Sequence, residues 1–244
     1  MPTTRTVTLG DHLLRIAHAE RFRSFRVIWD DPANAELKRE RFNPNVLDVG
    51  DVLTIPDRTP FNATGQGQVF NQFVVRAEQS ILNLKLETAG FAPRASRDNT
   101  VVATVDATGT PQKTPPKDGR TDATGKQTLR SLNPFVEVEL SLKAGSGPNE
   151  VAEQLLFLVG QLAPLKTRKG QQARLNNLGY FAGFRPDSIE QFRWAVEEFQ
   201  TDHRKAFPRM RRLGLERDGT VDRETLIALG TVHGDLLPGQ AATL

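Results

Sequence analysis

GQQARLNNLGYF at residues 170–181, DSIEQFRWAVEEFQ at 187–200 and DGTVDRETLIAL at 218–229 are three short helical patterns separated by two abrupt breaks. In the middle one, Phe192, Ala195, Val196 and Phe199 recur at i, i+3, i+4 and i+7, so they share one helix face and leave Arg193, Glu197 and Glu198 to water. Leu175 with Leu178, and Leu226 with Leu229, supply matching ridges. Gly179 follows the first pattern where a left-handed residue ends a helix. Asp218-Gly219 signals a turn, and Asp222 is placed to cap the third helix, with Glu224 suited to its positive end. Three short helices closing one core, poor in catalytic residue types, point to binding.

ARLNNLGYF from 173, AVEEFQ from 195 and DGTVDRETLIAL from 218 resemble the three-helix peptidoglycan-binding domain appended to many cell-wall hydrolases. The resemblance implies that Tyr180, Gln200, Gly219, Asp222 and Thr225 meet peptidoglycan. The chain departs from that family at FRPDSIEQF, residues 184–192, where a Gly-x-x-Gly-x-x-Thr turn is usual.

At 244 residues, 38% of them hydrophobic, the chain fits two or three small domains, and no apolar run is long enough for a membrane span. MPTTRTVTLGDHLLRIA lacks the apolar core and small-residue cleavage site of a secretory signal. The expectation is synthesis in the cytoplasm and, for any wall-directed role, delivery to the periplasm or outside by a dedicated injection system. With 32 basic and 29 acidic residues the net charge is only +3, and the absence of cysteine excludes disulfides and thiolate metal sites. The basic clusters Arg204-Lys205, Arg209 and Arg211-Arg212 read as solvated loop charge or as contacts to anionic polymers. Neither interleaved aromatics nor a nucleic-acid-binding motif accompanies them, so no nucleic-acid partner is expected.

VTLGDHLLRIA from residue 7 begins with a β-prone piece, turns at Gly10-Asp11 and enters a helix in which Leu13, Ile16 and Ala17 share a face, with Asp11 as candidate cap. A second helical piece spans Ala35 to Arg41. NPNVLDVGDVLTIP, residues 43–56, then returns through turns to a strand that Pro56 ends. The predicted order is strand, helix, helix, strand.

Gly10-Asp11-x-Leu13-x-x-Ile16-Ala17, followed by Leu47-x-x-Gly50-Asp51-x-Leu53-x-Ile55-Pro56, resembles the LysM domain, which binds N-acetylglucosamine-containing glycans such as peptidoglycan. The resemblance implies a groove formed by Gly10, Asp11, His12 and Leu13 with Asn43, Pro44, Asn45 and Val46, whose backbone amides hold the acetamido group. His12 stands where Thr or Ser is common. WDDPANAELKRERFNPN, residues 29–45, is longer and more charged than in typical glycan-binding members. That form looks like LysM units of phage-tail-like contractile injection machines, where the fold serves as a structural connector.

RTPFNATGQGQ from residue 58 reads as a linker. Beyond it, FVVRAEQ, ILNLKLET, TVVATVD and FVEVELSL read as strands, with Leu82, Leu84 and Leu86 on one face, and Val136, Val138, Leu140 and Leu142 on another. KDGRTDATGKQTLRSL, residues 117–132, resembles the turn of immunoglobulin-like or carboxypeptidase-regulatory-like β modules used as spacers. Asp118, Asp122 and Gly125 are spaced as a metal-free turn rather than as a calcium loop.

The inventory for catalysis is thin. His12, His18, His203 and His233 form no His-Glu-x-x-His pair and read as surface or turn residues. Trp29 reads as core, and Trp194 as partly exposed and able to stack on a sugar face. The sequence thus predicts a multidomain α+β chain. Residues 1–58 form a LysM-like βααβ unit, 59–68 a linker, 69–145 an immunoglobulin-like β-sandwich spacer, 146–235 a three-helix peptidoglycan-binding-like unit and 236–244 a tail. No catalytic residue, metal or cofactor is expected. The leading expectation is non-catalytic binding of peptidoglycan or a related glycan by two modules. The alternative is a structural adaptor that docks on spike, baseplate or tube proteins of a type VI secretion or phage-tail-like machine.

Overall fold

The computed structural model describes residues 1–41, 43–58, 64–65, 67–68, 70, 78–88, 92–106, 109–144, 152–185, 187–203 and 219–236. Its described residues are mixed α+β, with six α-helices and several antiparallel sheets. The chain divides into two compact units, Met1–Gln161 and Leu162–Leu244. The linker from Thr59 falls largely outside the described residues, as do FVVRAEQ up to Ala77, Asp218, the basic clusters at 204–212 and the tail after Leu236.

In the first unit, β1 (Thr3–Thr6) pairs antiparallel with β2 (Val52–Ile55), Thr3 opposite Ile55 and Thr6 opposite Val52. Between them lie α1 (Leu13–Ala19), α2 (Arg26–Trp29), a 3-10 turn (Pro32–Asn34) and α3 (Ala35–Arg41). Leu13, Ile16 and Ala17 turn inward together, as their spacing requires, onto Val7, Ile28, Trp29, Leu47, Leu53 and Ile55. Each such aliphatic side chain contributes about 1.5–3 kcal/mol by burial. Asn34, only 2% exposed, acts as a pseudo-strand. Its Nδ2 donates to the Ile28 and Thr54 carbonyls at 2.8 and 2.7 Å, and its Oδ1 accepts from Thr54 N at 2.8 Å. That bond set satisfies an edge of β2 which a two-stranded sheet leaves open.

The cap of α1 differs from the sequence expectation. His12 occupies the N-cap position with extended backbone and makes no side-chain cap bond. Asp11 lies one residue too early and closes the preceding turn instead, accepting from Thr8 N at 3.0 Å and Thr8 Oγ1 at 2.8 Å. Arg5 neutralises it from 3.3 Å.

The rest of the unit is β. β3 (Ser80–Lys85) pairs with β7 (Lys126–Ser131). A second sheet runs β5 (Pro111–Lys113), β4 (Asp98–Asp106), β8 (Phe135–Leu142), β9 (Glu153–Leu158), with β6 (Lys117–Arg120) also on β4. Both sheets contribute to one core, in which Val101, Ala103, Val105, Phe135, Val138, Leu140 and Leu142 are buried and Leu82, Leu129, Leu155 and Phe157 pack against them. The alternation in ILNLKLET and FVEVELSL places Leu82, Leu84, Leu86, Val138, Leu140 and Leu142 inward, while Val136 is half-buried. At residues 121–125, Asp122 accepts from the Thr124 and Lys126 amides at 2.7 and 2.9 Å, and Gly125 adopts φ +74°. These contacts make it an Asx-type turn. The sheet does not end near residue 145: β9 pairs along β8 from Leu142–Glu153 to Glu137–Leu158. The alternating apolar run EQLLFL satisfies β8, so a segment expected in the helical unit belongs to the sheet.

The second unit holds α4 (Arg168–Asn177), α5 (Ile189–His203) and α6 (Arg223–His233). Thr167 caps α4 by accepting from Gly170 N at 3.0 Å. Gly179, at φ +92°, lets the Tyr180 and Gly179 amides reach the Leu175 and Asn176 carbonyls at 2.9 and 3.1 Å, a Schellman end. Phe192, Ala195, Val196 and Phe199 are all buried on α5, with Gln200 and His203 extending the stripe.

Candidate functional site

The two loops expected to form a groove in the first unit do meet. Leu13 N donates to the Pro44 carbonyl at 3.1 Å, which ties the 10–13 loop to the 43–46 loop. Gly10 takes φ +89°, a left-handed turn that orients the loop. Several of the donors in this pair of loops are already used. Asp11 N donates to the Thr8 carbonyl at 3.0 Å, Asn45 N to Asn43 Oδ1 at 3.0 Å, and Val46 N to the Asn43 carbonyl at 3.0 Å. Asp11, His12 and Leu13 are 5%, 4% and 0% exposed. Gly10 and Val46 are also buried, Asn43 and Pro44 are half-buried, and Asn45 alone of the eight is exposed.

The 10–13 loop is covered by the unit's own sheet. Gly160, in the turn after β9, lies so close that a Cβ there would stand 2.5 Å from the Gly10 carbonyl oxygen and 2.9 Å from His12 Cδ2. Its φ of +78° independently demands glycine. Arg15 on α1 reaches Asp106 on β4 with its Nε at 3.1 Å and donates back to the Gly10 carbonyl from Nη1 at 3.2 Å. Burial pushes the His12 imidazole below its ordinary range; the Phe135 backbone raises it, Arg15 lowers it further and Asp11 raises it. His12 Nε2 is buried with no hydrogen-bond partner. The expectation of a surface or turn histidine is overturned here: α1 starts under the sheet, and its N-cap ring is turned into the contact.

Of the five residues carried from the helical resemblance, Tyr180, Gln200, Gly219 and Thr225 are buried and Asp222 is exposed. Gln200 Nε2 donates to the Thr220 carbonyl at 2.9 Å and to Thr225 Oγ1 at 3.1 Å, while Asp222 Oδ1 accepts from Thr225 N at 2.7 Å. Gly219, at φ +69°, lies against Arg193, whose Cγ would be 2.3 Å from an added Cβ. Gln200, Gly219, Asp222 and Thr225 thus form one knot joining α5 to the start of α6. Tyr180 lies apart from it. Its hydroxyl donates to Asp202 at 3.2 Å, and its ring meets Phe199 edge-on at 5.6 Å. Burial, then Asp202, raises that hydroxyl above its ordinary range. His203, 8% exposed and 3.2 Å from the same hydroxyl, is a second buried histidine where a surface one was expected. His18 and His233 are half-buried.

The chain from Ala182 into FRPDSIEQF, where it is described, is held to α4. Gln172 donates to the Ala182 and Arg185 carbonyls at 2.8 and 3.1 Å, and Asn176 donates to the Gly183 carbonyl at 2.8 Å. The aromatic rings this arrangement leaves outside are Phe181, Phe184 and Trp194, at 62%, 82% and 60% exposure. Trp29 is core, as expected.

Other features lay beyond sequence reasoning. A cleft of about 1150 Å³ between β6 and β7 is lined by Val101, Ala103 and Val105 and by charges of both signs, Lys117, Lys126 and Arg130 with Asp118 and Asp122. Gly160, Asn34 and the Arg15–Asp106 pair carried no local signal beyond a glycine after an apolar run. Among the described residues, no three His, Asp or Glu side chains are grouped to hold a metal ion, and no helix is long and apolar enough to cross a membrane. Comparisons with protein-family models, curated proteins and solved structures found no match for this chain.

Proposed function

We propose that the chain is a non-catalytic structural adaptor whose LysM-like and helical parts dock on protein partners, such as the spike, baseplate or tube of a contractile injection machine. The observation that carries this reading is the covered 10–13 loop: Gly160 lies against the Gly10 carbonyl and the His12 ring, and the loop amides of Asp11 and Leu13 already donate within the protein. The LysM-like part then serves as a connector built into the β spacer.

A second reading, wall binding by the C-terminal part, is favoured by the exposed rings of Phe181, Phe184 and Trp194, which suit stacking on sugar faces. One experiment separates the two. Tagged full-length chain, cross-linked in its own cells, is expected to carry sheath, spike or baseplate subunits and to stay in solution when purified sacculi are pelleted at low salt. Retention on sacculi with no machine subunit attached would overturn the adaptor reading.

A further inference from the structure

We propose that His12 is a proton-operated latch, its neutral imidazole holding the 10–13 loop shut against the sheet and its protonation releasing that loop. The inference rests on the covered loop of the reading above and assigns its regulation.

The geometry places the ring, 4% exposed, at the seam between the loop and the sheet. The Phe135 backbone on β8 bears on the ring, whose Cδ2 edge lies against the Gly160 backbone after β9. Nε2 is buried without a partner. A neutral ring tolerates this, because an unprotonated Nε2 leaves only an unused lone pair. A second proton would bury a cationic N–H with no acceptor, and such a group is costly to enclose.

The surrounding charges do not relieve that cost. Arg15, on the same helix, repels an imidazolium and is committed to Asp106 on β4 at 3.1 Å. Asp11 attracts one, but already accepts from Thr8 and pairs with Arg5 at 3.3 Å. The turn after β9 presents backbone only at this point. In the released loop the ring is in water, with the ordinary histidine range near pH 6.5.

The closed state binds the proton more weakly than the open one, so closure is full above about pH 6.5 and weakens as pH falls below it. The opening constant rises by up to about tenfold per pH unit over that window.

Hydrogen exchange of the full chain, expressed as protection relative to intrinsic rates, tests this. The Leu13 and Val159 amides, which donate to Pro44 and Val136, are expected to lose protection by up to about tenfold between pH 6 and pH 5. The Val7 amide, which donates to Asp51, serves as the control that stays protected. His12→Asn, which cannot ionise, is expected to flatten the pH dependence, and Gly160→Ala to give the open signal at neutral pH. Direct NMR titration of the His12 ring in the unmodified chain covers the case in which a variant fails to fold. Unchanged Leu13 protection across the window, or a His12 ring that titrates without any change at Leu13 and Val159, would overturn the latch. Absence of machine partners would leave this exchange result standing, so the two proposals fail separately.

Discussion

Arg174 sits 1% exposed on α4, its Nη1 donating to the Ala163 and Gly170 carbonyls at 2.8 Å each, with Asp235 paired to its Nε. Asp235 also accepts from His233 Nδ1 at 3.1 Å. Burial pushes the Asp235 carboxyl up, but the His233 hydrogen bond and the Arg174 charge together outweigh it and hold the group below the ordinary carboxylate range. Its contribution to stability is therefore complete above about pH 4, the unfolded carboxylate value, and is lost as pH falls through the lower folded one. Asp235→Ala leaves a buried guanidinium without its counter-charge and should cost about 3 kcal/mol. Urea unfolding followed by the amides of α4 and α6 would show the loss at pH 7, and the variant's acid dependence should be flatter than that of the unmodified chain. None of this was legible in the sequence, since Arg174 and Asp235 are far apart in the chain and each looks like a surface charge.

The helices of the second unit were the most legible elements. Phe192, Ala195, Val196 and Phe199 repeat one face over two turns, and no competing period fits them. Asp222 was legible for a local reason: an N-cap needs only a short acceptor three residues before the amide it satisfies, and Thr225 N lies 2.7 Å away. Asp222→Ala should cost about 1 kcal/mol, measured as reduced protection in the first turn of α6, with the α5 amides little changed. The start of α1 was misread because the same local rule has two solutions there. Asp11 can cap forward or close backward onto Thr8, and the sheet that buries His12 decides between them. β9 was missed for the opposite reason: EQLLFL is too short for its period to exclude a helix, and only its pairing with the preceding strand β8 fixes it as a strand.

At the scale of the whole molecule, the sequence gives fold class and loop identity but not accessibility. Gly10, Asp11, His12 and Leu13 come together with Asn43, Pro44, Asn45 and Val46 through the Leu13–Pro44 bond. What no local pattern announces is that Gly160, Phe135 and Asp106 close over them. The same holds for Gln200 and Thr225, which the chain spends on joining α5 to α6. An adaptor is the account in which both sets of residues hold the parts rigid, leaving other surfaces to meet partners. The most direct test is an NMR titration of the full chain at pH 7.5 with a tetramer of N-acetylglucosamine, following the Gly10, Asp11, Leu13, Asn45 and Val46 amides. The account predicts no saturable shift at these positions up to millimolar ligand; saturable shifts centred on Gly10 to Leu13 would contradict it.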